Sequence, residues 1–590
     1  MNGRDEVWTR VGSAARLRAA GCSVISAGGH TIAIVADRER LAAIDNRCPH
    51  MGFPLSRGSV ADGLLTCHWH HARFDLASGG TLDPFADDVR SYPLRVEGDE
   101  VLVDVGATPI DTAYWRRRLI EGLEQGITLV VAKAVLALRA AGVPANEIVA
   151  LGGSFGLRYR GHGWGSGMTI LTAIANVLPA LHEEDRPLAL THGLARMAAD
   201  TAGEAPRFIV DALPTAGVAP ATLKLWFRRA VDVRDAEGAE RVLQTVLASG
   251  AGIAAALDLL YAAATDHLFI DGGHELDFIT KAAEYLEHAG PEQAPAALGS
   301  LVRGLCEAQR SEEQYAWRYP IDLPALIAPA IEELESGWER RGSGPVRDLN
   351  ALSAALLAEE PAPIVAAVRD ELRAGAAPAA VAQAIAHAAA LRLARFPVSN
   401  EFGDWDTVHN TWSSCSALFR ALTRHPSPEL ARGLYHAAMA LYLDRFLMVP
   451  AARLPDELPR NGHAPESATL LADLRARFDL NQQVDPAARL VDSYLAAEYD
   501  DAALLATLGE LTLREDAGFH MYQTLEAGIQ LYQALRDREP LAARRTLVGV
   551  VRYLAAHAPT ARALNQTVRI AVRLHRGEEI FAEAEEAVRA

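Results

Sequence analysis

The stretch CPHMGFPLSRGSVADGLLTCHWHH, residues 48–71, gathers two of the chain's five cysteines and four of its nineteen histidines. Cys48 and His50 make a C-x-H pair, and Cys67 and His70 make a C-x-x-H pair, with sixteen residues between the two motifs. Thiolates and imidazoles ligate metals, and structural zinc is one reading. Zinc sites more often group each ligand type, as C-x-x-C and H-x(3–5)-H. Here each short motif holds one of each. Two such loops facing one another put both thiolates on one iron and both imidazoles on the other, the mixed ligation of a histidine-bearing [2Fe–2S] cluster. His68 and His71 then stand beside the ligands. Cys22, Cys306 and Cys415 are widely scattered and make no disulfide framework.

A second set of ionisable residues lies far downstream. His267, Asp271 and His274 are spaced i, i+4, i+7, which is one face of a helix. Two imidazoles and a carboxylate suit non-haem Fe(II) with open coordination positions. Gly272 and Gly273 weaken a helix there, so the three are expected to straddle a helix end. His409 and His520 fall in the matching breaks of later segments. Each histidine alone reads as a structural or surface residue; their recurrence at matching places points to a second metal or substrate site.

Residues 5–105 resemble the Rieske ferredoxin-like domain family, in which a C-P-H-x-G loop is followed by C-x-x-H and an F-D pair. The chain has CPHMG and then CHWHHARFDLASG. That resemblance implies a [2Fe–2S] cluster on Cys48, His50, Cys67 and His70, and one-electron transfer. The extra cysteine pair of the high-potential respiratory members is missing, so the likeness is to the ferredoxin and oxygenase types. DHLFIDGGHELDF locally resembles questin oxidase-like proteins, which carry H-x-x-I-H-x-G-aromatic. His267 and Ile270 match, whereas Asp271 stands at the second histidine and His274 at the aromatic position. This second resemblance implies an oxygen-dependent oxidation of an organic, natural-product type of substrate.

The elements that must position these residues change character near residue 106. Before it, short runs such as CSVISA, HTIAIVA and EVLVDVG are broken by Gly, Asp and Asn, as in a small antiparallel β domain. After it, long Ala/Leu/Arg-rich stretches carry apolar residues at helical period. The expected architecture is therefore a small all-β domain, residues 1–106, followed by a large all-α domain, residues 107–590. Internal similarity suggests four diverged units of about four helices, near 120–215, 230–310, 360–455 and 485–580. The motifs LTHGL, LVRGL, LARGL and ARRTL recur at intervals of 111, 129 and 113 residues. In each unit the break between second and third helices holds the polar residues. If the units close around a centre, those breaks converge.

The 590 residues call for more than one domain, and half of them are hydrophobic. A net charge of −18 argues against nucleic acid or an anionic membrane as partner. Neither a signal peptide nor a membrane span is apparent, so a cytoplasmic setting is expected. The ring-hydroxylase fold is rejected, because its catalytic domain is β-rich. The reading is an oxidoreductase of the monooxygenase or oxidase kind. Its cluster passes electrons to a second, non-haem iron site held by a subset of His267, Asp271, His274, His409 and His520, where O2 oxidises a small organic substrate. No flavin or nicotinamide motif is visible, so the electrons come from an external reductase or ferredoxin. The alternative is an electron-transfer and binding protein whose helical body docks a partner and holds no second metal.

Overall fold

The structure is a computed structural model that describes residues 7–106, 110–214, 217–459, 465–578 and 580. Ten strands fill the N-terminal region: β1 (Trp8–Ser13), β2 (Cys22–Ala27), β3 (His30–Asp37), β4 (Arg40–Asp45), β5 (Ser59–Ala61), β6 (Leu64–Thr66), β7 (Arg73–Asp75), β8 (Ser91–Tyr92), β9 (Leu94–Glu97) and β10 (Glu100–Asp104). They form three antiparallel sheets with the orders β1-β10-β9, β2-β3-β4-β8 and β5-β6-β7. β-Branched residues bury both faces of β3, Ile32 and Ile34 in one core and Val35 in another. Gly28 and Gly29, at φ 57° and 79°, make the two-residue turn from β2 to β3, a turn that demands left-handed backbone at both positions.

One short helix, α1 (Ala14–Ala20), interrupts a region expected to be all strand. Ser13 caps it by accepting from the Arg16 amide, so the local cap overrides the strand pattern. A larger difference concerns the boundary. The strands do end near 106, but the compact unit runs on to Pro144 and also takes in the helix Ala563–His575. Within it, α2 (Thr112–Gln125) packs on α3 (Thr128–Ala140), which also packs on the helix Ala563–His575. Asp111 caps α2 by accepting from the amides of Ala113 and Tyr114.

The second compact unit, residues 145–562, is helical. Four of its helices, Ser166–Val177, His274–Ala289, Phe402–Arg424 and Phe519–Leu535, pack side by side in a closed ring. The first touches the second and the fourth, and the third touches the same two. Small residues let neighbours approach: a Cβ on Gly153 would lie 2.3 Å from the Tyr285 ring. Among the described residues no helix is long and apolar enough to cross a membrane.

Candidate functional site

Two loops in the N-terminal unit are built alike. The Cys48 amide donates to the Phe53 carbonyl and the Cys67 amide to the Ala72 carbonyl, each at 2.8 Å. Both cysteine carbonyls accept from the residue four positions on, Gly52 and His71. Those two sit in left-handed backbone, at φ 84° and 61°. The β6–β7 strands frame the second loop, while the first follows β4. The thiols of Cys48 and Cys67 are buried and within hydrogen-bond reach of each other. Rings of His50 and His70 meet edge to face at 4.7 Å. Phe85 closes over His50 at 5.0 Å and Trp69 over His70 at 4.6 Å.

The electrostatics hold three of the four donors toward their ligating state, Cys48 being the exception. Amides of His50 and Met51 reach the Cys48 sulfur, and those of Trp69 and His70 reach Cys67. The hydrogen bond between the two thiols holds Cys67 down, at about 6, and pushes Cys48 up, with burial adding to the rise. Burial lowers His50 to about 4 and lowers His70 as well, so both imidazoles are neutral at pH 7. His50 Nδ1 is buried without a hydrogen-bond partner. An orphaned ring nitrogen next to a thiol pair fits a [2Fe–2S] cluster bound by Cys48 and Cys67 at one iron and His50 and His70 at the other. His68 and His71 are exposed and outside this quartet.

In the helical unit, three expected residues come together and two do not. His274 opens the second ring helix, His409 lies within the third, and His520 is in the first turn of the fourth. The His274 ring lies parallel to that of His520 at 6.3 Å, and the His520 ring meets that of His409 at a tilt, at 4.8 Å. Asp406, Tyr553 and His557 complete the group, and the sequence reading missed all three. Tyr553 donates to Asp406 at 2.6 Å, His520 Nδ1 lies 3.1 Å from the same carboxylate, and His557 stacks on Tyr553. Burial opposes the charge on Asp406, but the hydrogen bonds from His520 and Tyr553 outweigh it and hold its pKa at about 2. His409 is fully buried, and neither ring nitrogen makes a well-formed hydrogen bond, although Asn410 is adjacent.

His267 stands apart. It pairs with Glu312 at 2.7 Å and faces Asp232 at 3.8 Å. The helix before it ends at Asp266, and Ile270–Gly273 form a tight turn with Asp271, Gly272 and Gly273 in left-handed backbone. The expected helical face of His267, Asp271 and His274 is therefore not formed. Asp271 keeps an electrostatic influence on His274. Among the described residues no three His, Cys, Asp or Glu side chains converge on one ion. For the helical cluster this means that no three-donor metal geometry is preformed among the described residues.

Below the imidazoles, the ring helices share a buried ionic centre. Lys281 bridges Glu526 at 2.6 Å and Glu284 at 3.1 Å, and Arg420 contacts the same two carboxylates at 3.1 and 2.9 Å. Asn176 donates to both, so all four helices contribute. His162, shortly before the first ring helix, does not join the imidazoles: it is exposed and pairs with Glu204.

A strand-built domain presenting two thiols and two imidazoles from paired loops is an iron–sulfur electron carrier by construction. The Rieske [2Fe-2S] domain model matches residues 7–93. The chain is 38% identical over 84 residues to the ferredoxin component of a p-cumate 2,3-dioxygenase system of Pseudomonas putida, 14% of this chain and 71% of that one. It is 33% identical over 87 residues to the ferredoxin component of the alkene monooxygenase system of Xanthobacter autotrophicus, 15% and 71%. A solved structure, the ferredoxin of carbazole 1,9a-dioxygenase from Nocardioides aromaticivorans, aligns at 28% identity over 17% of this chain and 97% of its own, with a TM-score of 0.16. The chain belongs to the Rieske [2Fe-2S] domain family, through its first hundred residues.

Proposed function

We propose that this chain is a Rieske oxidoreductase whose helical unit carries out an O2-dependent oxidation of a small organic substrate at the cluster of His274, His409 and His520. When bound, the [2Fe–2S] group supplies one-electron transfer at a potential raised by its two imidazoles. Cys48, His50, Cys67 and His70 would hold it, and the backbone amides at each sulfur favour the thiolate charge. His70 is exposed, which suits exchange with an external electron donor. The relatives named as ferredoxin components of oxygenase systems support such a donor and a link to oxygen chemistry.

One observation carries the helical half of the reading: His409 is fully buried among other imidazoles, and neither of its ring nitrogens makes a well-formed hydrogen bond. A buried imidazole without partners is costly unless some group takes its nitrogen. Iron, which accepts imidazole and carboxylate donors, is the group proposed. Asp406 holds His520 in its present orientation and can take or return a proton there. Side chains of all four ring helices meet at one ionic centre, which supports four diverged units closing around it, and the questin oxidase-like resemblance points the same way.

Metal analysis of the purified chain tests this. More than two iron per chain is expected, falling to two in H409A and H520A with the visible absorption of the cluster unchanged. Two iron in the wild-type chain, with no other metal, sinks the second site. The second reading, an electron carrier whose helical unit binds a partner, then stands. It is favoured by the lack of three convergent donors among the described residues.

A further inference from the structure

We infer that Lys133, on α3, is a positioning residue for the iron–sulfur loop and sets the potential of the cluster that loop would hold. Lys133 lies outside the segment that the Rieske domain model matches, residues 7–93. It is 8% exposed, on a stretch of the helix that is otherwise apolar from Leu129 to Leu138, among Val130, Val131, Ala134 and Val135. Its Nζ donates to the carbonyl of Pro49, and to that of His50 at 3.3 Å. Those are the carbonyls of the two residues that follow Cys48. A third contact, at 3.1 Å, is the ion pair with Asp87. All three donors of the ammonium are thus matched by acceptors.

Asp87 is itself held. Arg118 of α2 approaches it at 3.0 Å and donates to the carbonyls of Pro84 and Ala86 at 3.0 and 3.1 Å. The segment so fixed carries Phe85, the ring that closes over His50. Lys133 grips the first ligand loop from one side, and Arg118, through residues 84–87, sets its aromatic cover. Burying an ammonium is costly unless its bonds are good. An apolar residue would pack α3 as well, so the cation points to a role beyond packing.

Its consequence is electrostatic. Reducing the cluster adds a negative charge, and a buried cation on the ligand loop stabilises that charge; a buried anion opposes it. Lys133 is bonded directly to the ligand loop, whereas Asp87 reaches it through Lys133 and through Phe85. The two charges therefore act in opposite directions on one quantity. The inference rests on the assignment of the cluster to Cys48, His50, Cys67 and His70.

The test is a potentiometric titration, followed by electron paramagnetic resonance, of the full chain after cluster reconstitution. K133Q keeps a donor without the charge and is expected to lower the midpoint potential. K133M is expected to lower it and also to shift the resonance g-values, because the loop loses its clamp. D87N is expected to raise the midpoint, and K133R to stay near wild type. Midpoints of K133Q and D87N equal to wild type, at equal iron content, overturn the inference. If K133M does not assemble a cluster while K133R does, the clamp is supported. A wild-type chain that takes up no cluster overturns the assignment beneath it instead.

Discussion

Tyr553 and His520 come from different helices and meet on one acceptor, the carboxylate of Asp406, at 2.6 and 3.1 Å. Asp406 is depressed to about 2, against about 3.9 for an unfolded aspartate. A carboxylate with a lowered folded pKa stabilises the fold above its unfolded value and loses that contribution as pH falls through the folded one. The window is thus about pH 4 down to 2. Asp406 is 40% exposed at its side chain, so solvent screening keeps the effect near 1 kcal/mol. Thermal unfolding of D406N and wild type should differ by about that amount at pH 7 and converge near pH 2. Curves that stay parallel to pH 2 would contradict the assignment.

Glu275, next to His274, behaves in the opposite sense. Burial first, and Asp271 second, raise it to about 8. The folded chain then holds a proton that the unfolded chain has released above about pH 4.3. Stability falls with rising pH across that interval, by at most about 1.4 kcal/mol per pH unit, and levels off above pH 8. E275Q removes this slope, so its advantage over wild type should grow between pH 5 and 8. Denaturant titrations at three pH values measure it; a constant difference would refute it.

Lys281 has 1% of its side chain exposed and bridges Glu284 and Glu526. K281M keeps the length of the side chain but leaves two buried carboxylates sharing Arg420. Removing one partner of a buried ion group costs about 3–5 kcal/mol. The double variant K281M/E526Q should recover part of that loss, because a buried charge goes with the lysine. Urea unfolding followed by circular dichroism checks both, and a single variant within 1 kcal/mol of wild type would show that the centre is hydrated rather than dry.

Local chemistry was legible in the sequence, and long-range pairing was not. The quartet Cys48, His50, Cys67 and His70 announced itself because each loop is a self-contained turn closed by its own backbone. His274, His409 and His520 were found through internal similarity, and they do meet. His267 lies apart from the other imidazoles, and its partners, Asp232 and Glu312, are 35 and 45 residues away, beyond the reach of any helical period. Asp406 sits three residues before His409, a helical neighbour that could have been noticed. Tyr553 and His557 lie in an apolar helix where only contact gives them a role. Lys133 was hidden in the same way: one lysine in TLVVAKAVLALRA reads as a solvated edge until Pro49, His50 and Asp87 are seen around it.

Gly273 fixes where His274 can be. It has φ 92°, caps the His274 helix, and faces Ser414 of the neighbouring ring helix. A Cβ there would lie 2.5 Å from the Ser414 Cβ and 3.0 Å from the Phe269 ring. Left-handed backbone costs a non-glycine residue about 1–3 kcal/mol, and the clash adds to it. G273A must therefore either unwind the turn or push the His274 helix away from Ser414. Both displace the His274 ring from His520 while leaving the N-terminal quartet untouched. The expected outcome is a lower melting temperature, together with loss of any iron beyond two per chain at unchanged cluster absorption. Gly272, also left-handed but with nothing within 4 Å of its Cβ position, is the control: G272A carries the backbone strain alone and should keep the extra iron. Equal iron loss in both variants would show that strain, rather than the approach to Ser414, governs the position of His274.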